Sequence, residues 1–359
     1  MLRGRCVKAR SYAGANVASP YTLTMRWLKE MWIYTALVFL GIFSALFFSL
    51  GLYRKPQYIR NFEEEEYDRE HIFVEPVSVV DGLAVYSAGS GAPALLFPYP
   101  HGHTTEPMAQ SPIAKILAGM GRAVVTFDVP GAYRSTREPV GNMDEMIRSA
   151  DEALDRQGIQ NPVDVVGHSM GGFTALAYAI ERPERTRRLA LVTSLSGFPA
   201  AARWGFPGSA FHIYEPDYWR IILWGIRLNA GRGDLALHKR LQNLMERASH
   251  HDKAFFTPVE IDADDYEKGV PIRTIWTKNM YTRLSYANRL KEVRASTLIL
   301  AGRYDPEAPL QCFEELLQGI PDASLVVFER SGHFPFIEEA SLFAQTVNAF
   351  LNESDHLRR

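Results

Sequence analysis

The chain has 359 residues, enough for one large α/β domain carrying an insertion. Hydrophobic residues make up 47% and charged residues 22%, which excludes disorder as the default for most of its length. Lys and Arg number 39 against 41 Asp and Glu, a formal charge of -2, so no basic excess marks it for nucleic acid.

The first 30 residues are basic: Arg3, Arg5, Lys8, Arg10, Arg26 and Lys29 precede the first acid, Glu30. Residues 31–53 (MWIYTALVFLGIFSALFFSLGLY) carry no charge and are long enough to cross a hydrocarbon core of about 30 Å as a helix. A cleaved signal has a shorter apolar stretch and a small-residue exit, whereas this run continues into Arg54-Lys55, so a retained anchor is expected. The positive charge ahead of the span favours an N-in orientation, a single-pass membrane protein whose large domain lies on the outer side. Two other readings apply to residues 1–24: an over-called start ahead of Met25, or an organelle transit segment. Residues 54–71 are charged, with four consecutive glutamates from Glu63 to Glu66, and read as a solvated linker. Under this arrangement Cys6 and Cys312 face opposite sides of the bilayer and cannot pair. Cys312, beside Phe313 and Leu316, reads as a packed core thiol.

From residue 72 the chain alternates β-rich runs with helical patterns. Residues 72–80 and 83–88 read as strands joined by the turn Asp81-Gly82. Further strands are expected at 94–98, 123–128, 163–166, 189–195, 297–301 and 324–328, with helices at 112–120, 143–157, 171–180, 310–319 and 338–351. Asn142 caps the second helix and Gly158 ends it. Near-continuous apolar strands between helices indicate a mostly parallel sheet covered on both faces, after an antiparallel start. The alternation stops for about 100 residues after Leu195, far beyond an ordinary connection. The expected organisation is therefore a core of residues 72–196 and 296–359 with a cap inserted at 197–295.

The strongest local signal is Gly167-His168-Ser169-Met170-Gly171, a G-x-S-x-G placed after a strand and before a helix. The chain must turn sharply there, which leaves Ser169 strained and its hydroxyl exposed; side chains at Gly167 and Gly171 would strike backbone. A serine hydroxyl needs a base to take its proton. His333, after the last strand, is the best placed of ten histidines. An imidazole base needs an acid to fix its tautomer, and Asp305 follows the preceding strand. The order Ser–Asp–His suits this architecture. The Met170 N–H supplies one oxyanion donor, and His103, in the loop after the third strand, is expected to supply the second. No metal or organic cofactor is required. His101 and His103 are explained by that loop, His168 as a packing or hydrogen-bonding residue, and His250-His251-Asp252 as a polar helix end.

These residues resemble the α/β-hydrolase family over residue 72 to the end, the insertion excepted. The resemblance implies an α/β-hydrolase fold and serine hydrolase chemistry, and makes Asp128 a structural residue. The stretch Asp128-Val-Pro-Gly-Ala-Tyr-Arg-Ser135 has Tyr133 where the family's pattern has its second glycine, so that loop is expected to take a different shape. The tail Ser331-Gly-His-Phe-Pro-Phe-Ile-Glu-Glu339 is similar to that of prolyl-aminopeptidase-like hydrolases, but the H-G-G-P-G loop of that peptidase is absent. A span combined with a G-H-S-M-G elbow is similar to membrane-bound monoacylglycerol lipases. The expected activity is hydrolysis of an ester or amide through an acyl-enzyme. The insertion's aromatics, among them Trp219, Trp224 and Trp276, favour an acyl or other apolar small-molecule substrate over a sugar or phosphate. Two alternatives stand beside it. One is a peptidase for a free amino terminus, using a cap carboxylate among Glu215, Glu246 and Glu260. The other is a membrane-tethered scaffold that kept the fold and lost catalysis. Residues 219–228 form an apolar stretch that offers a membrane-surface contact as a further expectation.

Overall fold

The computed structural model describes residues 76–100, 108–139, 141–204, 220, 221, 223, 224, 227, 234–258, 260–276 and 284–353, all within the compact unit Glu64–Arg359. The apolar span at 31–53, the linker at 54–71 and His103 lie outside the described residues. Among the described residues no helix is long and apolar enough to cross a membrane.

Eight strands form one sheet: β1 (Ser78–Val80), β2 (Leu83–Ala88), β3 (Pro93–Phe97), β4 (Ala123–Phe127), β5 (Val163–His168), β6 (Thr186–Val192), β7 (Ser296–Gly302) and β8 (Ala323–Phe328). Their spatial order is β1-β2-β4-β3-β5-β6-β7-β8. The β1–β2 and β2–β4 pairs are antiparallel and every later pair is parallel. The turn Asp81-Gly82 has φ of 44° and 73°, the positive values a tight hairpin turn requires.

The apolar runs are continuous because the sheet is covered on both sides, and successive side chains still alternate. Leu95, Phe97, Val165, Leu189, Leu191 and Ile299 face one core. Leu96, Val166, Ala190, Val192, Leu298 and Leu300 face the other. The first core is closed by α2 (Met143–Arg156), α3 (Ser169–Glu181) and α7 (Leu310–Gly319). The second is closed by α1 (Pro112–Gly119) with α8 (Pro335–Glu338) and α9 (Ala340–Asn352). Helix α1 begins where Ser111 accepts from Ala114 N, with Pro112 at its first position. Asn142 caps α2 through Glu145 N at 2.8 Å, and Arg156 lies in its last turn, favourable for the helix dipole.

Several expected boundaries move. Only Ser78–Val80 of the expected 72–80 strand is described as paired, and β6 runs Thr186–Val192, earlier than 189–195. The closing helix expected at 338–351 is α9, and a short helix, α8, precedes it, separated by Glu339 at φ -133°. Tyr133 takes φ +48°, so a bulky residue adopts the left-handed geometry a glycine would supply. Between β6 and β7 the insertion contains α4 (Phe198–Trp204), α5 (Leu235–Ser249) and α6 (Ala263–Ile275). Asp234 and Asp262 cap α5 and α6. Trp276 and Ile272, at the end of α6, are fully buried in the first core, which seats the cap on the domain. Ile221 is buried against Leu241, Leu244 and Met245 of α5, so that part of the 219–228 stretch packs within the cap.

Candidate active site

The carboxyl ends of the parallel strands gather one cluster of loops, the place where open α/β sheets bind ligands. At the end of β5 the chain enters α3 through His168, and Ser169 sits at φ +52°. Three glycines make the turn possible. A Cβ at Gly167 would lie 2.4 Å from the Gly171 carbonyl oxygen, one at Gly171 2.7 Å from the Phe97 carbonyl oxygen, and one at Gly172 2.5 Å from Ser194 Cβ. Ser194 Oγ donates to the Ser169 carbonyl at 2.8 Å and steadies the strained residue. Ser169 and Met170 are half-buried, and the Met170 N–H is among the first-turn donors of α3 that no helix carbonyl satisfies.

Asp305, after β7, and His333, after β8, are both buried. His333 Nδ1 donates to Asp305 Oδ2 at 2.8 Å. The other Asp305 oxygen accepts from Glu307 N at 2.8 Å and Ala308 N at 2.9 Å, which fixes the carboxylate plane. The two loops touch through backbone: Tyr304 N donates to Ser331 O at 3.0 Å. A Cβ at Gly302 would come within 1.8 Å of Gly332 O.

The His333 carbonyl is held from the nucleophile's side. Thr193 Oγ1 donates to it at 3.0 Å, and His168 Nε2 lies 3.0 Å from it. His168 Nδ1 bonds the Tyr99 hydroxyl, and its ring centroid lies 4.9 Å from that of His333. His168, the residue before Ser169, is thus a buried hydrogen-bonding residue that contacts the loop of the base directly. His333 Nε2 has Glu307 Oε2 at 3.7 Å. Among the described residues no hydrogen bond joins Ser169 Oγ to that nitrogen; such contacts are often long before substrate arrives. Burial opposes a charge on His333, but the Asp305 and Glu307 carboxylates outweigh it and raise the ring to about 9.

Asp128 lies outside this cluster. It is buried, accepts from Tyr86 Oη at 2.8 Å and Arg134 N at 3.0 Å, and burial pushes it up to about 7. These bonds hold the loop after β4. Cys312 is buried in α7, and burial pushes its thiol up to about 12. Of the three cap acids, Glu260 is paired with Lys239 on the surface, Glu246 accepts from Gln242 Nε2 at 3.1 Å, and Glu215 lies outside the described residues. His250 and His251 follow the end of α5, where His251 stacks on Tyr304 at 3.8 Å. Among the described residues no three His, Cys, Asp or Glu side chains are placed to share a metal.

Sequence reasoning passed over Thr193, Ser194, Ser249 and Glu307. Nothing in their local pattern marks them, because each acts through a neighbour distant in the chain. Glu338 and Glu339 stood within a recognised tail but without a role.

A family model described as the alpha/beta hydrolase fold matches residues 99–340. The chain is 30% identical over 284 residues to 2-hydroxymuconate semialdehyde hydrolase of Pseudomonas putida, covering 76% of this chain and 92% of that protein. It is 28% identical over 246 residues to 2-hydroxy-6-oxononadienedioate/2-hydroxy-6-oxononatrienedioate hydrolase of Paraburkholderia phymatum, covering 66% and 78%. Among solved structures it resembles an alpha/beta fold family hydrolase from Bacillus anthracis, with TM-score 0.60 and 20% identity over 77% of this chain and 97% of that one. A meta-cleavage product hydrolase from Pseudomonas fluorescens gives TM-score 0.52 and 19% identity over 75% and 94%. The chain belongs to the α/β-hydrolase fold family.

Proposed function

We propose that the chain is a serine hydrolase in which Ser169 attacks a carbonyl carbon, His333 moves the proton and Asp305 orients the ring. The Asp305–His333 hydrogen bond, set against the His168-Ser169 turn, is the observation that carries this reading. Asp305 fixes the proton on Nδ1 and leaves Nε2 as the acceptor. Ser169 Oγ bonds to the carbonyl carbon as its proton passes to Nε2. The tetrahedral oxyanion is held by the Met170 N–H, with the His103 N–H as the second donor. His333 then gives its proton to the departing group, leaving an acyl-enzyme. Water attacks that ester in the same way, and the acid product leaves Ser169 free. Loss of one oxyanion donor typically costs about 3–4 kcal/mol in the transition state.

An ester or amide of an apolar substrate is the leading reading. The aromatic residues of the insertion, among them Trp219, Trp224 and Trp276, support it. A second reading comes from the relatives' names. 2-Hydroxymuconate semialdehyde contains neither ester nor amide, so a hydrolase of that compound breaks a carbon–carbon bond, and the same triad would then protonate a carbon leaving group. Fluorophosphonate labelling tests the nucleophile: absence of a Ser169 adduct in folded protein would leave the scaffold reading. Turnover of nitrophenyl esters of graded acyl length, anilides and a 2-hydroxy-6-oxo-dienoate then separates the substrate classes.

The uncharged run at 31–53 and the basic residues before it support single-pass anchorage with the hydrolase domain on the outer side. Carbonate extraction and protease protection of the full chain test this. Release into the supernatant would exclude the anchor.

A further inference from the structure

Glu338 lies near the end of the tail Ser331-Gly-His-Phe-Pro-Phe-Ile-Glu-Glu339 and has no part in the proton transfers described above. It is a carboxylate only 9% exposed. One of its oxygens accepts from Gly332 N at 2.7 Å, the residue immediately before the proposed base. The other accepts from Asp252 N at 2.9 Å, in the cap segment that follows α5. The same two segments meet directly. His333 N donates to Ser249 O at 2.8 Å, and a Cβ at Gly332 would lie 2.2 Å from Ser249 O. The His250 and Phe334 rings lie 4.5 Å apart across this seam.

A buried carboxylate is an expensive way to join two loops. Its burial pushes Glu338 up to about 7, so its ionised form is held at a cost to stability. What it supplies is geometric: two acceptor oxygens in one rigid plane, each aimed at a backbone N–H of a different segment. Glutamine offers one acceptor oxygen and presents an N–H to the other donor.

We propose that Glu338 is a positioning residue that locks the His333 loop to the cap segment at residues 249–252, so that seating the cap and aligning the base are one event. The inference rests on the serine hydrolase reading. Base and cap are then held as a unit, and a loop shift of about 1 Å is enough to lose on the order of 10²-fold in rate.

The test compares the full-length protein with Glu338→Gln and Glu338→Asp, measuring kcat and KM on a nitrophenyl ester, the fluorophosphonate labelling rate at Ser169, and the melting temperature. The expected result is a kcat lower by about 10- to 100-fold and slower labelling, a loss larger than any accompanying fall in the melting temperature of Glu338→Gln accounts for. Glu338→Asp keeps the charge but loses the reach, and should fall in the same way; it decides the matter if Glu338→Gln does not fold. Parent-like kcat and labelling in either folded variant would overturn the positioning role. So would loss of activity that merely tracks loss of melting temperature. An unlabelled parent protein sinks the hydrolase reading itself, and this inference with it.

Discussion

His333 Nδ1 donates to Asp305 Oδ2 across 2.8 Å, with both side chains buried and the second Asp305 oxygen held by two backbone N–H groups. The acid therefore has no freedom to turn, and the ring can present only Nε2 to the site.

Replacing Asp305 with Asn puts an amide N–H where an acceptor is required and favours the wrong tautomer. We expect kcat to fall by roughly 10⁴-fold with a small change in KM. Steady-state kinetics check this. Activity near that of the parent would mean that another acid orients the ring.

Ser169→Ala should abolish turnover and fluorophosphonate labelling. The hydroxyl makes no hydrogen bond to the His333 ring among the described residues, so little stability is lost with it, within about 0.5 kcal/mol. Thermal melting and labelling measure the two effects separately.

The raised pKa of His333 has two opposite consequences. As a base it must be neutral, so kcat/KM should climb with pH and level off above about 9. As a protonated partner of Asp305 it stabilises the fold. That contribution is complete below the unfolded value of about 6.5 and fades as pH rises through about 9. Activity should therefore rise while the melting temperature falls over the same interval. Glu307→Gln removes a carboxylate that favours the charged ring, so it should move the activity midpoint to lower pH. A pH–rate profile with its midpoint near 6.5 in the parent would contradict the raised value.

Gly302→Ala tests the contact between the acid and base loops. The added Cβ meets Gly332 O at 1.8 Å, backbone against backbone, so we expect a loss of at least about 1–3 kcal/mol and most of the activity. Gly119→Ala is the control. Nothing lies within 4 Å of the added carbon, and its φ is not in the positive region, so a gain of about 0.4–1 kcal/mol is expected. Urea unfolding reads both.

Much of this molecule is legible in its sequence because the relevant physics is local. A strand buried on both faces reads as a run such as Ala123-Val-Val-Thr-Phe127, whatever packs on it. The sharp turn at Ser169 requires glycine at 167 and 171 because backbone lies within 2.7 Å of either added Cβ. Tyr133 takes a left-handed φ of +48°, a geometry that its residue type gives no reason to expect. Glu339 separates the short α8 from α9. Its carboxylate accepts from Arg330 N and Ser331 Oγ in the preceding loop, contacts that helical periodicity does not announce.

The sequence by itself pointed to the strands of a mostly parallel sheet, the elbow and the three side chains proposed for catalysis, since each carries a signal in its neighbours a few residues away. Only folding decided which groups surround them: Thr193 and His168 under the His333 carbonyl, Glu307 at its free nitrogen, Ser249 and Glu338 holding its loop. Those partners come from β5, the residue after β6, α5, the loop after β7 and α8. Their meeting is set by the packing of a parallel sheet and its cap, which no local pattern encodes.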